Sequence, residues 1–473
     1  MSQKESKKLS VGTLLGYAAG QLGCSIPFNT YMYFFLFFLT NAAGIRPGVA
    51  GVISLIAVLW DAITNPIVGT ISDNIRSKYG RRRPFMLGGS VPLGVTLILV
   101  FIVPGGLSES QFIAYYIIMA VIFHTVNTIV VIPYFSLGAE LTQDYNERTK
   151  LRVITSFFIY FAVLIATAFP PMIVDKAMAG GRTLGEGWTL TAIIFAVITV
   201  IVVLISWRFT RGREISPDYA DISKQEKDNV IKAYIQVLKI KPMRYTILAN
   251  IFYMIGFSVS GGVMMYCLVF VAKLDAASQS IVMGTMPVAT LILLPLIGLI
   301  STKLGKKYAY ILMLSITTGM LFIFPIVGVW TLASMMVFQI LLSVGNGTFW
   351  TLCYAISYDS VEVDEFIYGK RREGIYTSFM MFAQKCGSAL AMLISGLALE
   401  YIGYDGAAEV QTSSAVTGLG SLLTWVSGIF VLLSIIFIIV YPLTKPRFDA
   451  LTKALELKKA GKEYTTEGFE KLL

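Results

Sequence analysis

Residues 59–84 read LWDAITNPIVGTISDNIRSKYGRRRP, an acid set inside an apolar helix that then ends in a basic loop. On a helix, Asp61 and Asn65 lie four residues apart and share a face, with Gly69 one turn further on and Pro66 removing a backbone donor between them. This spacing places a polar site beside a weak point of the helix. A charged side chain at the centre of a bilayer costs roughly 2.5–3.5 kcal/mol or more, so Asp61 is expected to face a partner or a water-filled path. It is either a functional charge or half of a structural polar contact.

The rest of the chain supplies the bilayer. Hydrophobic residues make up 56% of the 473 and charged residues 14%, against about 45–50% and about 25% in an ordinary soluble domain. Apolar runs long enough to cross a membrane are expected at 11–41, 48–73, 84–104, 111–136, 153–174, 189–209, 245–272, 280–302, 307–328, 331–357, 374–402 and 417–443. The first run is too long for a cleavable signal peptide, and its polar residues look functional. Of the 38 Lys and Arg, only Arg46, Lys176, Arg182 and Lys273 fall in odd-numbered loops, and Lys385 falls deep inside a span. The others crowd the amino terminus, the even-numbered loops and the tail, which predicts that both termini are cytoplasmic. The net charge of +10 is then an insertion signal spread over every cytoplasmic loop, and no nucleic-acid partner is expected. Cys24, Cys267, Cys353 and Cys386 all fall within spans, where packing explains them and neither disulfide nor metal is implied.

Polar residues inside the spans mark candidate sites. The first span carries Gly16, Gly20 and Gly23, which permit close helix packing, together with Gln21, Ser25, Asn29, Tyr31 and Tyr33. These polar groups either line a path for a hydroxylated substrate or bond between helices. The fourth span offers His124, the single histidine, with Asn127 and Thr128 at helical spacing. His124 is either a proton carrier or a hydrogen-bonded packing residue. Trp350, in GNGTFWTLCYAIS, is either a platform for a sugar ring or a packing tryptophan. By helix rise, Asp61 and His124 sit about 18 Å, and Lys385 about 16 Å, above the cytoplasmic ends of their spans. All three ionisable groups thus fall near one plane.

Two echoes divide the chain. PIVGTIS at 66–72 returns as PLIGLIS at 295–301, and ITSFF at 154–158 returns in IYTSFM, so six helices are read as duplicated. The expected organisation is a six-helix bundle over 1–209, a cytoplasmic loop over 210–244, a second bundle over 245–443 and a cytoplasmic tail over 444–473. Ile231, Tyr234, Ile235 and Leu238 form an amphipathic stripe in the loop, and Phe448, Leu451 and Leu455 one in the tail, each suggesting a helix lying along the membrane surface. The loop after the fourth span, with Glu140, Asp144, Glu147, Arg148, Lys150 and Arg152, reads as a mixed-charge turn.

Two stretches together, WDAITNPIVGTISDNIRSKYGRRRPF and YDSVEVDEFIYGKRREGIYTSF, resemble the glycoside-pentoside-hexuronide:cation symporter family, which includes the melibiose carrier, within the major facilitator superfamily. The likeness extends over essentially all twelve spans. It implies an all-α polytopic membrane protein with twelve transmembrane helices in the major facilitator fold of two six-helix bundles. By resemblance, Asp61 matches the family's first acid of the second helix, a cation-site residue. Lys385 matches the lysine near the cation and sugar sites, and Trp350 the tryptophan near the sugar. Asn65 stands where the melibiose carrier has a second acid, and Ser25 and Val131 where it has sugar-binding acids, which argues against melibiose as substrate. Asn65 offers sodium a neutral oxygen but cannot take up a proton.

The expected activity is alternating-access symport of a sugar, glycoside or hexuronide with H+ or Na+, without any other cofactor, by a monomer in the cell membrane. Asp61, Asn65 and Lys385 are the coupling candidates, with Lys385 lowering the pKa of Asp61 by pairing with it. Gln21, Ser25, Asn29, His124, Asn127, Trp350 and Lys385 are the substrate candidates. Asp73, Arg81, Arg82, Glu140, Asp359 and Arg372 are the candidates for a cytoplasmic gate. A lysolipid carrier of the same fold and an uncoupled sugar facilitator are the alternatives. An enzyme or receptor would need a catalytic cluster or a large soluble domain, and the chain has neither paired carboxylates within the spans nor a long loop beyond 210–244.

Overall fold

A computed structural model describes residues 9–75, 77, 79–142, 144–212 and 230–472. In lipid every backbone polar group must be satisfied within the segment, so each long apolar run closes into a helix. The order is α1 (Val11–Phe37), α2 (Pro47–Asn74), α3 (Arg83–Val100), α4 (Glu109–Glu140), α5 (Tyr145–Ala179), α6 (Leu184–Phe209), α7 (Val230–Lys239), α8 (Lys241–Tyr266), α9 (Ala276–Leu304), α10 (Lys306–Val327), α11 (Leu332–Thr348), α12 (Tyr354–Tyr368), α13 (Glu373–Tyr401), α14 (Ser413–Ser421), α15 (Ser427–Val440) and α16 (Lys445–Lys459). Wider π turns at Phe349–Cys353 and Leu422–Val426 join α11 to α12 and α14 to α15, which leaves twelve helices long and apolar enough to span a bilayer. Further π turns, Phe38–Ala42 and Cys267–Val271, end α1 and α8, the first spans of the two halves.

All twelve expected spans are present, but several helices outrun the apolar stretch. The charged run read as a turn after α4 is instead the start of α5. Asp144 caps it by accepting from Glu147 N at 2.9 Å, and Glu147 pairs with Lys150 one turn on. Likewise α12 carries the tenth span on to Tyr368, where Gly369 adopts a left-handed conformation and stops it. Hydropathy reports only the part of a helix at lipid depth.

The chain packs as two compact units. The first takes Met1–Ser223 with Gly261–Val288 and Met392–Leu419; the second takes Lys224–Ser260, Ala289–Ala391 and Gly420–Leu473. In the first, α1 packs on α6 through the predicted small residues, and a Cβ added at Gly20 would meet Ser206 Oγ at 2.6 Å. Tyr17 and Tyr134 stack at 4.5 Å and tie α1 to α4, with Tyr134 donating to Tyr17 O at 2.8 Å. Within the π turn that ends α1, Thr40 bonds Tyr266 at 2.7 Å and Asn41 accepts from Tyr404 at 2.6 Å.

The second unit corrects the reading of the tail. Leu451, Ala454 and Leu455 of α16 are buried against protein, and Lys458 donates to Phe366 O at 2.7 Å. Lys459 pairs with Glu365 at 2.6 Å. The stripe therefore docks on α12 instead of lying on the membrane. In α7, Ile235 and Leu238 are exposed while Val237 is buried; the side chains of Ile231 and Tyr234, and residues 213–229 of the central segment, lie outside the described residues.

Candidate functional site

The carboxylate of Asp61 sits between α2 and α4 and is 2% exposed. Three residues read separately from the sequence meet it there. Thr128 donates its hydroxyl to Asp61 Oδ1 at 2.7 Å and lies 3.1 Å from Asn65 Oδ1. His124 Nδ1 lies 3.8 Å from Asp61 Oδ2, and its ring is fully buried. The helical spacing explains the arrangement: residues four apart on α2 face residues four apart on α4, so two turns of each helix interlock through one hydroxyl. On the α1 side, Tyr31 sets its ring edge-on to the imidazole with centroids 4.7 Å apart and is itself buried. The sequence placed Thr128 in register with His124, but only the rotation of α4 reveals its hydroxyl as the bridge.

This arrangement suits a small cation. The Asp61 carboxylate, the Asn65 amide oxygen and the Thr128 hydroxyl present hard oxygen donors, and the carboxylate accepts a proton. Among the described residues no three of His, Cys, Asp and Glu gather into a metal-holding cluster.

The remaining substrate candidates divide between the units. Along α1, Gln21 donates to Ser25 Oγ at 2.7 Å and Asn29 donates to Ser25 O at 2.7 Å, so these groups bond along their own helix. Asn127 of α4 is buried. In the second unit, Trp350 lies on the π turn Phe349–Cys353 and is 42% exposed, near-parallel to Tyr354 with centroids 6.3 Å apart. Tyr354 donates to Gln384 Oε1 at 2.9 Å, beside the half-buried Lys385 of α13. Neither Tyr354 nor Gln384 stood out in the sequence, because their pairing depends on how α12 and α13 are rotated.

Most of the charged candidates sit where helices end, and Asp359 lies within α12. Arg81 and Arg82 reach Glu140 at 2.7 and 3.4 Å, and Arg82 also donates to Ser72 Oγ at 2.7 Å, which joins the α2–α3 loop to the end of α4. In the second unit Lys306 pairs with Asp359 at 2.5 Å. Arg372 grips Asp364 with two nitrogens and donates to Gln236 Oε1 at 2.6 Å; the bond to Asp364 pushes its guanidinium above the ordinary range. The side chain of Asp73 lies outside the described residues, as do Arg76 and Lys78.

Comparison with known proteins fits this geometry. The glucuronide carrier protein homolog of Escherichia coli is 27% identical over 96% of this chain and 97% of its own. The isoprimeverose transporter of Lactiplantibacillus pentosus is 27% identical over 91% of this chain and 88% of its own. The inward-open structure of the E. coli xylose transporter XylE superposes with a TM-score of 0.65, at 14% identity over 95% of this chain and 99% of that one, and shares the major facilitator fold of two six-helix bundles. The family model described as MFS/sugar transport protein matches residues 16–445. The chain is a multi-pass membrane transporter and belongs to the MFS/sugar transport protein family.

Proposed function

We propose that this protein is a cation-coupled symporter of a sugar, glycoside or hexuronide, working by alternating access of bundles 1–209 and 245–443 as a monomer in the cell membrane. The observation that carries this reading is the buried carboxylate of Asp61, held by Thr128 and flanked by Asn65 and His124. A buried acid at lipid depth is costly unless function keeps it, and binding of one H+ or Na+ neutralises it. The names of the two sugar-carrying relatives support the substrate class. The distribution of Lys and Arg supports cytoplasmic termini. Lys385 is proposed as a coupling residue within its span and, for a uronide, as the partner of the substrate carboxylate. Arg81, Arg82 and Glu140 are proposed, with Asp359 and Arg372, to hold the cytoplasmic side in one state.

The test is uptake of labelled glycosides and uronides into vesicles holding the purified protein, under a proton gradient, a sodium gradient or neither. Accumulation that requires one gradient is the expected result and names the ion. Equal, merely equilibrating uptake under all three would replace the symporter with a facilitator. Transfer of lysophospholipid without uptake of any sugar would move the assignment to a lipid carrier.

A further inference from the structure

The segment that follows α16 folds back onto the end of α12, with the ring of Phe366 at the centre of the contact. Phe366 is 5% exposed and packs edge-to-face with Tyr464 and Phe469, at centroid distances of 5.6 and 5.3 Å. Lys458 Nζ lies 4.6 Å from the centre of the same ring. Phe469 and Leu472 are each 1% exposed, whereas residues 460–465 and 467–468, which lead to them, are exposed. Gly461 and Gly468, with φ of 67° and 89°, turn the chain at either end of that exposed stretch. Residues 460–472 thus form a strap with two glycine bends and an apolar anchor.

The polar side of the fastening is arranged so that the strap can leave without stranding a charge. Lys459, the last residue before the strap, pairs with Glu365 at 2.6 Å, but Glu365 also meets Arg371 at 3.4 Å. Arg371 in turn reaches Glu362 at 3.4 Å and Glu373 at 2.6 Å. If the lysine moves away, the acid keeps a guanidinium and the lysine passes into water, an exchange between solvated ion pairs that costs little. The fully buried Asp364 is paired with Arg372 and needs nothing from the tail.

What the strap holds is one half of a divided span. The π turn Phe349–Cys353 joins α12 to α11 within the tenth span, and wide turns of this kind recur at functional sites in helices. Thirteen residues separate Cys353 from Phe366, about 20 Å of helix, so a hold at Phe366 acts on α12 at the far end of a lever from the turn.

We infer that residues 460–472 are an autoinhibitory strap. Docked on Phe366, they restrain α12 from swinging about the π turn, and transport speeds up when they let go. The inference rests on the alternating-access reading above and adds to it a regulatory element.

The test compares the purified full-length protein with a variant ending at Lys459, each with and without a fluorescein-labelled synthetic peptide of residues 460–473. The shortened protein should bind the peptide at least about tenfold more tightly than the full-length protein, whose own strap fills the site. Phe366→Ala in the shortened protein should abolish that binding. Amide hydrogen exchange over residues 354–368 should be faster in the shortened protein and slow again when the peptide is added. In vesicles with peptide on both sides or on neither, loss of the strap should raise the maximal uptake rate at least about twofold at an unchanged half-saturating substrate concentration, and the peptide should reverse the rise. Phe469→Ser in the full-length chain should reproduce the faster uptake, which keeps the test decisive where the shortened protein folds poorly. A tail that only supports the fold would leave uptake unchanged or slower in both variants, and that result would overturn the strap. A peptide that does not distinguish the two proteins, or unchanged exchange over α12, would also overturn it. Absence of uptake of every sugar would overturn the symport reading alone, and the strap would then stand or fall on peptide binding and exchange.

Discussion

The helix pair α2/α4 in the first half and its echo α9/α11 in the second differ at the position that matters most. Aligning PIVGTIS with PLIGLIS sets Asp61 against Thr290 and Asn65 against Leu294. The scaffold around them is shared. Ser72 and Ser301 each donate back to the glycine carbonyl three residues earlier, at 2.9 and 3.0 Å. Arg83 of α3 donates to Trp207 O at the end of α6, and Lys307 of α10 donates to Ile439 O and Tyr441 O at the end of α15. Where the first half brings the Thr128 hydroxyl to a carboxylate, the second brings Asn346 Nδ2 to the Thr290 hydroxyl at 3.4 Å. A duplicated framework has thus kept its caps and divided its chemistry, charge in the first half and exposed rings beside a lysine in the second.

The sharpest way to break this symmetry is at the helix ends. Glu140 and Arg82 are largely buried, whereas the Lys306 side chain opposite Asp359 is 44% exposed. Glu140→Gln leaves two guanidinium groups short of their acid and should cost about 3–5 kcal/mol. Asp359→Asn should cost no more than about 1 kcal/mol, because its partner is solvated. Thermal midpoints of the two purified variants test this; equal shifts would mean that the two ion pairs are interchangeable.

A smaller effect sharpens the comparison at lipid depth. Thr128→Val removes a hydrogen bond to a charged group, worth about 1.5–3 kcal/mol, together with a hydroxyl oxygen of the site. With Na+ as the coupling ion the concentration needed for half-maximal uptake should rise by roughly tenfold or more, and with H+ it should fall, because the carboxylate loses a bond that favours its charged form. Thr290→Val removes a bond between neutral groups, worth about 0.5–1.5 kcal/mol, and should leave the cation dependence where it was. A matching shift in both variants would place the cation elsewhere than on α2.

The difference in legibility between these regions has a physical cause. Twelve spans were readable because bilayer thickness imposes long apolar runs. The close packing of α1 on α6 was readable because only small residues permit it. Asp61 stood out because a carboxylate is rare in such a run. The start of α5 at Tyr145 escaped hydropathy because its first turns are charged, capped by Asp144 and directed into water. The stripe of α16 was visible as Leu451 and Leu455, but a stripe does not state whether lipid or protein covers it, and α12 does. Thr128, Tyr354 and Gln384 act through helix rotation, which a pattern fixes only to a fraction of a turn, and the π turn at Phe349–Cys353 shifts the register of every residue after it.

The most direct test of the division of labour is the ratio of uptake with an ion gradient to uptake without one, in wild type, Asp61→Asn and Thr290→Val vesicles. Asp61→Asn keeps the shape of the site and removes its ability to bind and release a cation by charge, so its ratio should fall to about one, while Thr290→Val should keep the wild-type ratio. An Asp61→Asn protein that still accumulates substrate under the gradient would contradict the central claim that the acid of α2 couples transport to the cation.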